Sequence, residues 1–179
     1  MVDRLSEKLL NQVLTDKTLK AKEKVLSISQ LIIRDKISIQ RLIEIAGSAG
    51  DTGQATIIES MEYASKTKPT IINEKAFQFV IEKLKSDAPR VKWESAKVIA
   101  NTAHLFPKIL KKAVPALLDN SEHTGTVVRW SAAGALSKII QCKTSLNKQL
   151  IPAIEALEKS EEDHAIRKIY QQGLKKAAQ

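Results

Sequence analysis

Hydrophobic positions along the chain recur at intervals of three and four residues. Leu5, Leu9 and Val13, with Leu10 and Leu14 beside them, predict an amphipathic helix over 3–14. Ala21, Val25, Ile28 and Ile32 predict a second over 18–33. Ile39, Leu42, Ile43 and Ala46 predict a third, with Asp35 as its expected cap. Gly47–Gly53 holds three glycines in seven residues, which predicts a sharp reversal through positive φ. Ile57, Ile58, Met61 and Ala64 place a helix over 54–66, and Phe77, Val80, Ile81 and Leu84 one over 73–85. Ser86–Pro89 reads as a turn whose Asp87 caps the next helix, 90–104. The remaining helices are expected over 108–119 (with Pro115 near its middle), 126–141, 147–159 (carrying Pro152) and 163–177. No period-two strand pattern occurs. The expectation is an all-α chain of about ten helices in one domain, 1–179.

The pattern also repeats at longer range. Trp93 and Trp130 stand 37 positions apart, and Trp130 and Lys168 stand 38 apart. Aligned on these positions, Val91, Val128 and Ile166 lie two before, and Lys92, Arg129 and Arg167 one before. Ala96, Ala133 and Gln171 lie three after, and Ile99, Leu136 and Leu174 six after. Small residues let neighbouring helices approach, and branched ones fill the layer between them. A single helix pair cannot bury its apolar face, so such units stabilise one another by stacking.

The run Pro115-Ala116-Leu117-Leu118-Asp119 followed by Val128-Arg129-Trp130-Ser131-Ala132-Ala133 and Leu136 resembles a HEAT repeat of the armadillo-like class. The resemblance is clearest over 76–179. It thins before that, where Asp51 stands 41 positions ahead of Lys92 in place of the basic residue, and residues 1–46 read as degenerate N-terminal cap helices. It implies an α-solenoid of about five stacked antiparallel helix pairs in a right-handed superhelix. It also implies a binding scaffold whose inner helices line a concave surface.

Charge sharpens this picture. The formal net charge is +9, and residues 83–148 hold 12 Lys and Arg against 4 Asp and Glu. The excess therefore falls on the two Trp-bearing units, where a positive field favours an acidic protein surface or a nucleic acid, or serves only as a solvated face. No apolar run reaches the roughly 18 residues of a membrane span. The single Cys142 and an N-terminus without a secretion-signal pattern fit a reducing, cytoplasmic setting.

The candidate partner-binding residues are Lys92, Trp93, Lys97, Arg129, Trp130, Lys138, Arg167 and Lys168. Two readings stand for the Lys92/Arg129/Arg167 ladder. It is a charge row aimed at a ligand, or an internal ladder paired with Asp87, Asp119 and Asp163. Two stand also for the tryptophans, as stacking or hot-spot aromatics beside basic residues, or as covers for the seam between units. The Trp-and-basic layout distantly resembles the alkylpurine DNA glycosylases built from HEAT-like repeats, which use an essential Asp. Four residues beyond each tryptophan this chain has Lys97 and Gly134 instead. Without that carboxylate, glycosylase chemistry is not expected.

His104, His123 and His164 lack metal-ligand spacing. Two readings stand for Cys142, a thiol whose pKa is lowered by the neighbouring Lys143 or a structural thiol; with no His placed near it by the sequence, the structural thiol is expected. The sequence thus points to a non-catalytic scaffold needing no cofactor, metal or small-molecule substrate. An acidic protein is the first partner expected, and nucleic acid the alternative.

Overall fold

A computed structural model describes residues 2–179, with side chains from Glu7 onward; Leu5 of the first predicted stripe lies outside the described side chains. Ten α-helices follow one another: α1 (Val2–Thr15), α2 (Ala21–Ile33), α3 (Ile39–Ser48), α4 (Asp51–Thr67), α5 (Glu74–Lys83), α6 (Pro89–Thr102), α7 (Val114–Ser121), α8 (Thr126–Gln141), α9 (Asn147–Ser160) and α10 (His164–Ala177). Among the described residues there is no strand.

Consecutive helices pair, α1 with α2 through to α9 with α10, and the even-numbered helices pack in series along their lengths. Successive odd-numbered helices meet only briefly. A stack with one tight row and one splayed row bends toward the tight row, so α2, α4, α6, α8 and α10 line its inner side. One hydrophobic cluster runs from Leu10 to Tyr170. Repeat positions form its rungs, Val91, Ala96, Ile99, Ala133, Leu136 and Ile166 among them, and Val128 is buried at the equivalent place in α8.

The helix ends show which local signals decide. Ser38 caps α3 by accepting from Arg41 N at 3.2 Å, and Asn73 caps α5 by accepting from Ala76 N at 2.9 Å. Asp163 does the same for α10, accepting from the amides of Ala165 and Ile166. The cap expected of Asp35 is corrected: Asp35 takes φ 52° in the turn before Ser38. Asp87 caps nothing either; Ala88 precedes α6, and Ser86 Oγ accepts from its amide.

The chain does turn within Gly47–Gly53, between Ser48 and Asp51, but the positive φ expected there is corrected: none of the glycines, all of them among the described residues, has positive φ. The helix expected over 108–119 divides into a 3₁₀ turn, Leu110–Lys112, and α7, with Pro115 in the first turn of α7. Proline has no amide to give an interior turn, so the outer helix restarts there.

Tyr170 is buried at the joint between α10 and the α7–α8 turn. Its hydroxyl lies near Ser121, whose Oγ already donates to Leu118 O, and it makes no hydrogen bond of ordinary geometry. Burial pushes its pKa up to about 12. A free phenol ionises near 10, so this contribution to stability is complete below pH ~10 and is lost as pH climbs toward 12. Tyr170→Phe removes an uncompensated polar group. Its unfolding free energy from urea titration is expected at or above that of the parent, by up to ~1 kcal/mol, and a loss of about 2 kcal/mol or more would reveal a hidden partner.

A candidate partner-binding face on the inner helices

The basic ladder has an internal task in the fold. Lys92 Nζ donates to Leu84 O at 3.4 Å and to Asn120 Oδ1 at 3.0 Å. Arg129 donates to His123 O at 3.0 Å and pairs with Glu161 at 3.1 Å. Arg167 donates twice to Glu161 O, at 3.0 and 2.6 Å. Each acceptor carbonyl lies at the end of the outer helix of the same pair, where the last turn leaves oxygens without helical partners.

The same clasp occurs in the first two pairs, ahead of the stretch in which the repeat is readable. Lys24 Nζ donates to Leu14 O at 2.7 Å, and Gln54 Nε2 donates to Ala46 O at 2.8 Å. Gln54 thus fills the role for which Asp51 offers no basic residue. Asp87, Asp119 and Asp163, the acids expected to pair with the ladder, take none of these bonds.

Lys97 and Trp93 belong to a second network between α4 and α6. Trp93 Nε1 donates to Glu94 Oε1 at 2.7 Å, and Lys97 Nζ meets Glu94 Oε2 at 2.9 Å. Lys97 also lies 3.7 Å from Glu62 Oε2, while Lys66 holds Glu62 Oε1 at 2.8 Å. Glu62 is only 1% exposed and Glu94 only 4%. Arg90 pairs with Glu59 alongside.

Burial raises the Glu94 pKa, with its hydrogen bonds to Lys97 and Trp93 pulling the other way. Burial acts to lower Lys97, but Glu94 first, then Glu62 and Glu59, raise it overall. This part of the inner face is therefore charge-compensated. Glu59, Glu62 and Glu94 were missed because acids at helical spacing read as solvent-facing; only the juxtaposition of Glu94 with Trp93 hinted otherwise.

Further along, the face changes character. Val127 and Trp130, one turn apart on α8, are 51% and 46% exposed. Leu9 and Leu26, on α1 and α2, are the other large hydrophobic side chains exposed among the described residues. Below Trp130 on the same stripe, Gly134 faces open space. Lys138 and Lys168 are exposed, and among the described residues neither side chain has a hydrogen-bond or ion-pair partner.

Beside Lys138 a groove of 390 Å³ opens where α4, α6 and α8 end, lined among others by Lys66, Asn101, His104, Gln141 and Cys142. Burial pushes the Cys142 thiol up, with Lys138 opposing the shift, as suits the structural thiol rather than one activated by Lys143. His123 stays at the turn before α8, where its Nδ1 accepts from Gly125 N, and His164 is the first residue of α10.

The whole fold has solved counterparts. A designed armadillo repeat protein in complex with the peptide (KR)4 superposes with a TM-score of 0.74 at 18% identity, over 98% of this chain and 86% of that one. The chain is an α-solenoid. Computationally designed armadillo repeat proteins for modular peptide recognition match at a TM-score of 0.71 and 17% identity, over 97% of this chain and 86% of theirs. An engineered protein matches at 0.69 and 22%, over 96% and 80%. At these identities the likeness concerns the fold. No family model and no curated protein matches the chain, so the likeness to the alkylpurine DNA glycosylases rests on the sequence pattern alone.

Proposed function

We propose that this chain is a non-catalytic scaffold that binds a segment of a protein partner across its inner helices. Trp130 and Val127 form the apolar contact, Trp93 borders it, and Lys138 and Lys168 face acidic side chains of the segment. The observation that carries this reading is the exposed Val127–Trp130 pair. An indole left half in water on the inner row of a solenoid is the kind of aromatic that anchors interfaces. Peptide recognition by the designed armadillo repeat proteins of like fold supports the same reading.

Nucleic acid is the weaker alternative. It would engage phosphate through Lys92, Lys97, Arg129, Lys138 and Arg167, yet four of these five already hold internal partners. Selection of a displayed random-peptide library on the full chain tests the reading. Selected peptides should bind the parent at least ~10-fold more tightly than Trp130→Ala. The variant should keep its helicity and lose no more than ~1 kcal/mol of stability. Adding Trp93→Ala should weaken binding further. Peptides indifferent to Trp130→Ala would sink the reading. Retention on duplex DNA at ~50 mM salt, falling steeply as salt rises, would favour the alternative.

A further inference from the structure

Consecutive helices are antiparallel, so the connections from inner to outer helices gather on one edge of the stack, and those from outer to inner on the other. His104 and Cys142, in the connections after α6 and α8, line one groove together, and the starts of α7 and α9 meet through Leu118 and Leu150. Charge is sorted between the two edges. Residues 103–118 and 138–154 hold six lysines and no Asp or Glu. The connections on the opposite edge, before α8 and α10, carry Glu122, Glu161, Glu162 and Asp163.

Apart from Lys138 of the inner row, these lysines are Lys108, Lys111, Lys112, Lys143 and Lys148. All five are exposed, and among the described residues none of their side chains has a hydrogen-bond or ion-pair partner. The carbonyl ends of α6 and α8 reach this edge, but the amide ends of α7 and α9 offset them, so the helix dipoles leave the lysines uncancelled. The next carboxylates along the outer helices, Asp119 and Glu155, come seven residues after Lys112 and Lys148. That is about 10 Å along the axis, close to the Debye length at ~0.1 M salt. Asp35 and Glu74 stand in the two earlier connections of the same edge and end the run.

Apolar surface lies among these lysines. Ile109, Val114 and Leu146 are partly exposed, Pro107 and Pro115 are exposed, and an apolar groove of 120 Å³ opens between α7 and α9. The composition of the edge selects its partner. Its cations are all lysines, which act as point charges and lack the fork that a guanidinium offers a phosphodiester. Among the described residues of this edge no aromatic ring is free to stack on a base, because Phe106 lies against Phe77 with centroids 4.5 Å apart. A lipid interface accepts both components together, lysines at its anionic headgroups and apolar side chains at the acyl boundary.

We propose that this edge docks peripherally on an anionic bilayer surface. It is a different side of the stack from the inner row, so the proposal stands independently of segment binding there.

Co-sedimentation of the full chain with vesicles tests it, using phosphatidylcholine alone and phosphatidylcholine with ~30% phosphatidylserine at ~0.1 M salt. The chain should pellet with the anionic vesicles only. A lysine close to such a surface contributes a factor of about five, so Lys108→Gln/Lys111→Gln/Lys112→Gln should weaken binding about 100-fold and Lys143→Gln/Lys148→Gln about 25-fold. Neither set removes an ion pair, so the helicity and urea midpoint of each should match the parent. Lys8→Gln/Lys17→Gln/Lys22→Gln takes as much charge from the first pair, and should weaken binding less than about five-fold. Binding undiminished by either edge set, or reduced as much by the first-pair set, overturns the proposal. So does a failure to pellet with anionic vesicles at ~50 mM salt. Tighter binding to duplex DNA than to the vesicles at matched phosphate, lost in the same edge variants, overturns it in favour of nucleic acid.

Discussion

Gly173→Ala is expected to cost about 3 kcal/mol of unfolding free energy, among the larger losses any single methyl can cause in this chain. A Cβ at Gly173 would stand 2.5 Å from both Cβ and Oγ of Ser137 and 3.0 Å from its Cα. Those atoms belong to the backbone and root of the α8 side chain, so no rotamer change makes room. The two inner helices must separate, and with them the hydrogen bond from Ser137 Oγ to Ile169 O at 3.2 Å. Two controls identify the cause. Gly134→Ala, on the same α8 but in open space, should stabilise by ~0.5–1 kcal/mol through helix propensity. In the Ser137→Gly background, Gly173→Ala should cost at least ~1 kcal/mol less than in the parent. Urea titrations of the four variants decide it, and additivity within error would refute a direct clash.

Lys97→Met is expected to cost about 3 kcal/mol at pH 7, because it leaves the Glu62 and Glu94 carboxylates buried with Lys66 as their remaining cation. The sign of its pH dependence follows from Glu94. That carboxyl has a folded pKa raised above its ordinary 4.5, chiefly by burial. A raised carboxyl binds its proton more tightly in the folded chain. Its contribution to stability is therefore present below the unfolded value and lost as pH rises through the folded one. Ionised Glu94 weighs against the fold at neutral pH, and Lys97 is what makes it tolerable. The penalty for Lys97→Met, compared with the parent at the same pH, should shrink as pH is lowered toward 4.5. A penalty unchanged between pH 7 and pH 4.5 would show that the lost lysine matters through its packed methylenes instead.

The stack was legible in the sequence because its core repeats. Val91, Val128 and Ile166 recur at one unit's spacing and are all buried, and the same holds for Ile99 and Leu136. Helix ends were less legible. Asp35, Asp87 and the Gly47–Gly53 run carry strong local signals, but the ends were settled by Ser38, by Pro89 in a first turn and by an immediate restart at Asp51.

The candidate face was legible only in part. Trp130, Lys138 and Lys168 are exposed as expected. Lys97 is held by Glu94, three residues earlier, and by Glu62, 35 residues earlier on another helix; the first contact is local, but the second, which makes the site a buried network, is one no local pattern reports. The ladder residues were readable as a row, but their acceptors are largely main-chain carbonyls, and every residue has one. For the same reason Gln54 passed unnoticed, although an amide donates to a carbonyl as well as an ammonium does.

Every helix pair fastens the frayed end of its own outer helix, yet each joint between pairs also carries a polar tie. Arg41 meets Glu7 across the first joint, Arg90 meets Glu59 and Lys97 meets Glu62 across the second, Lys92 reaches Asn120 across the third, and Arg129 reaches Glu161 across the fourth. Lengthening or shortening the array by one whole pair would therefore strand a polar group wherever it is done, and a buried carboxylate, Glu62, at the second joint. The first joint would tolerate it best, because Arg41 and Glu7 both reach water.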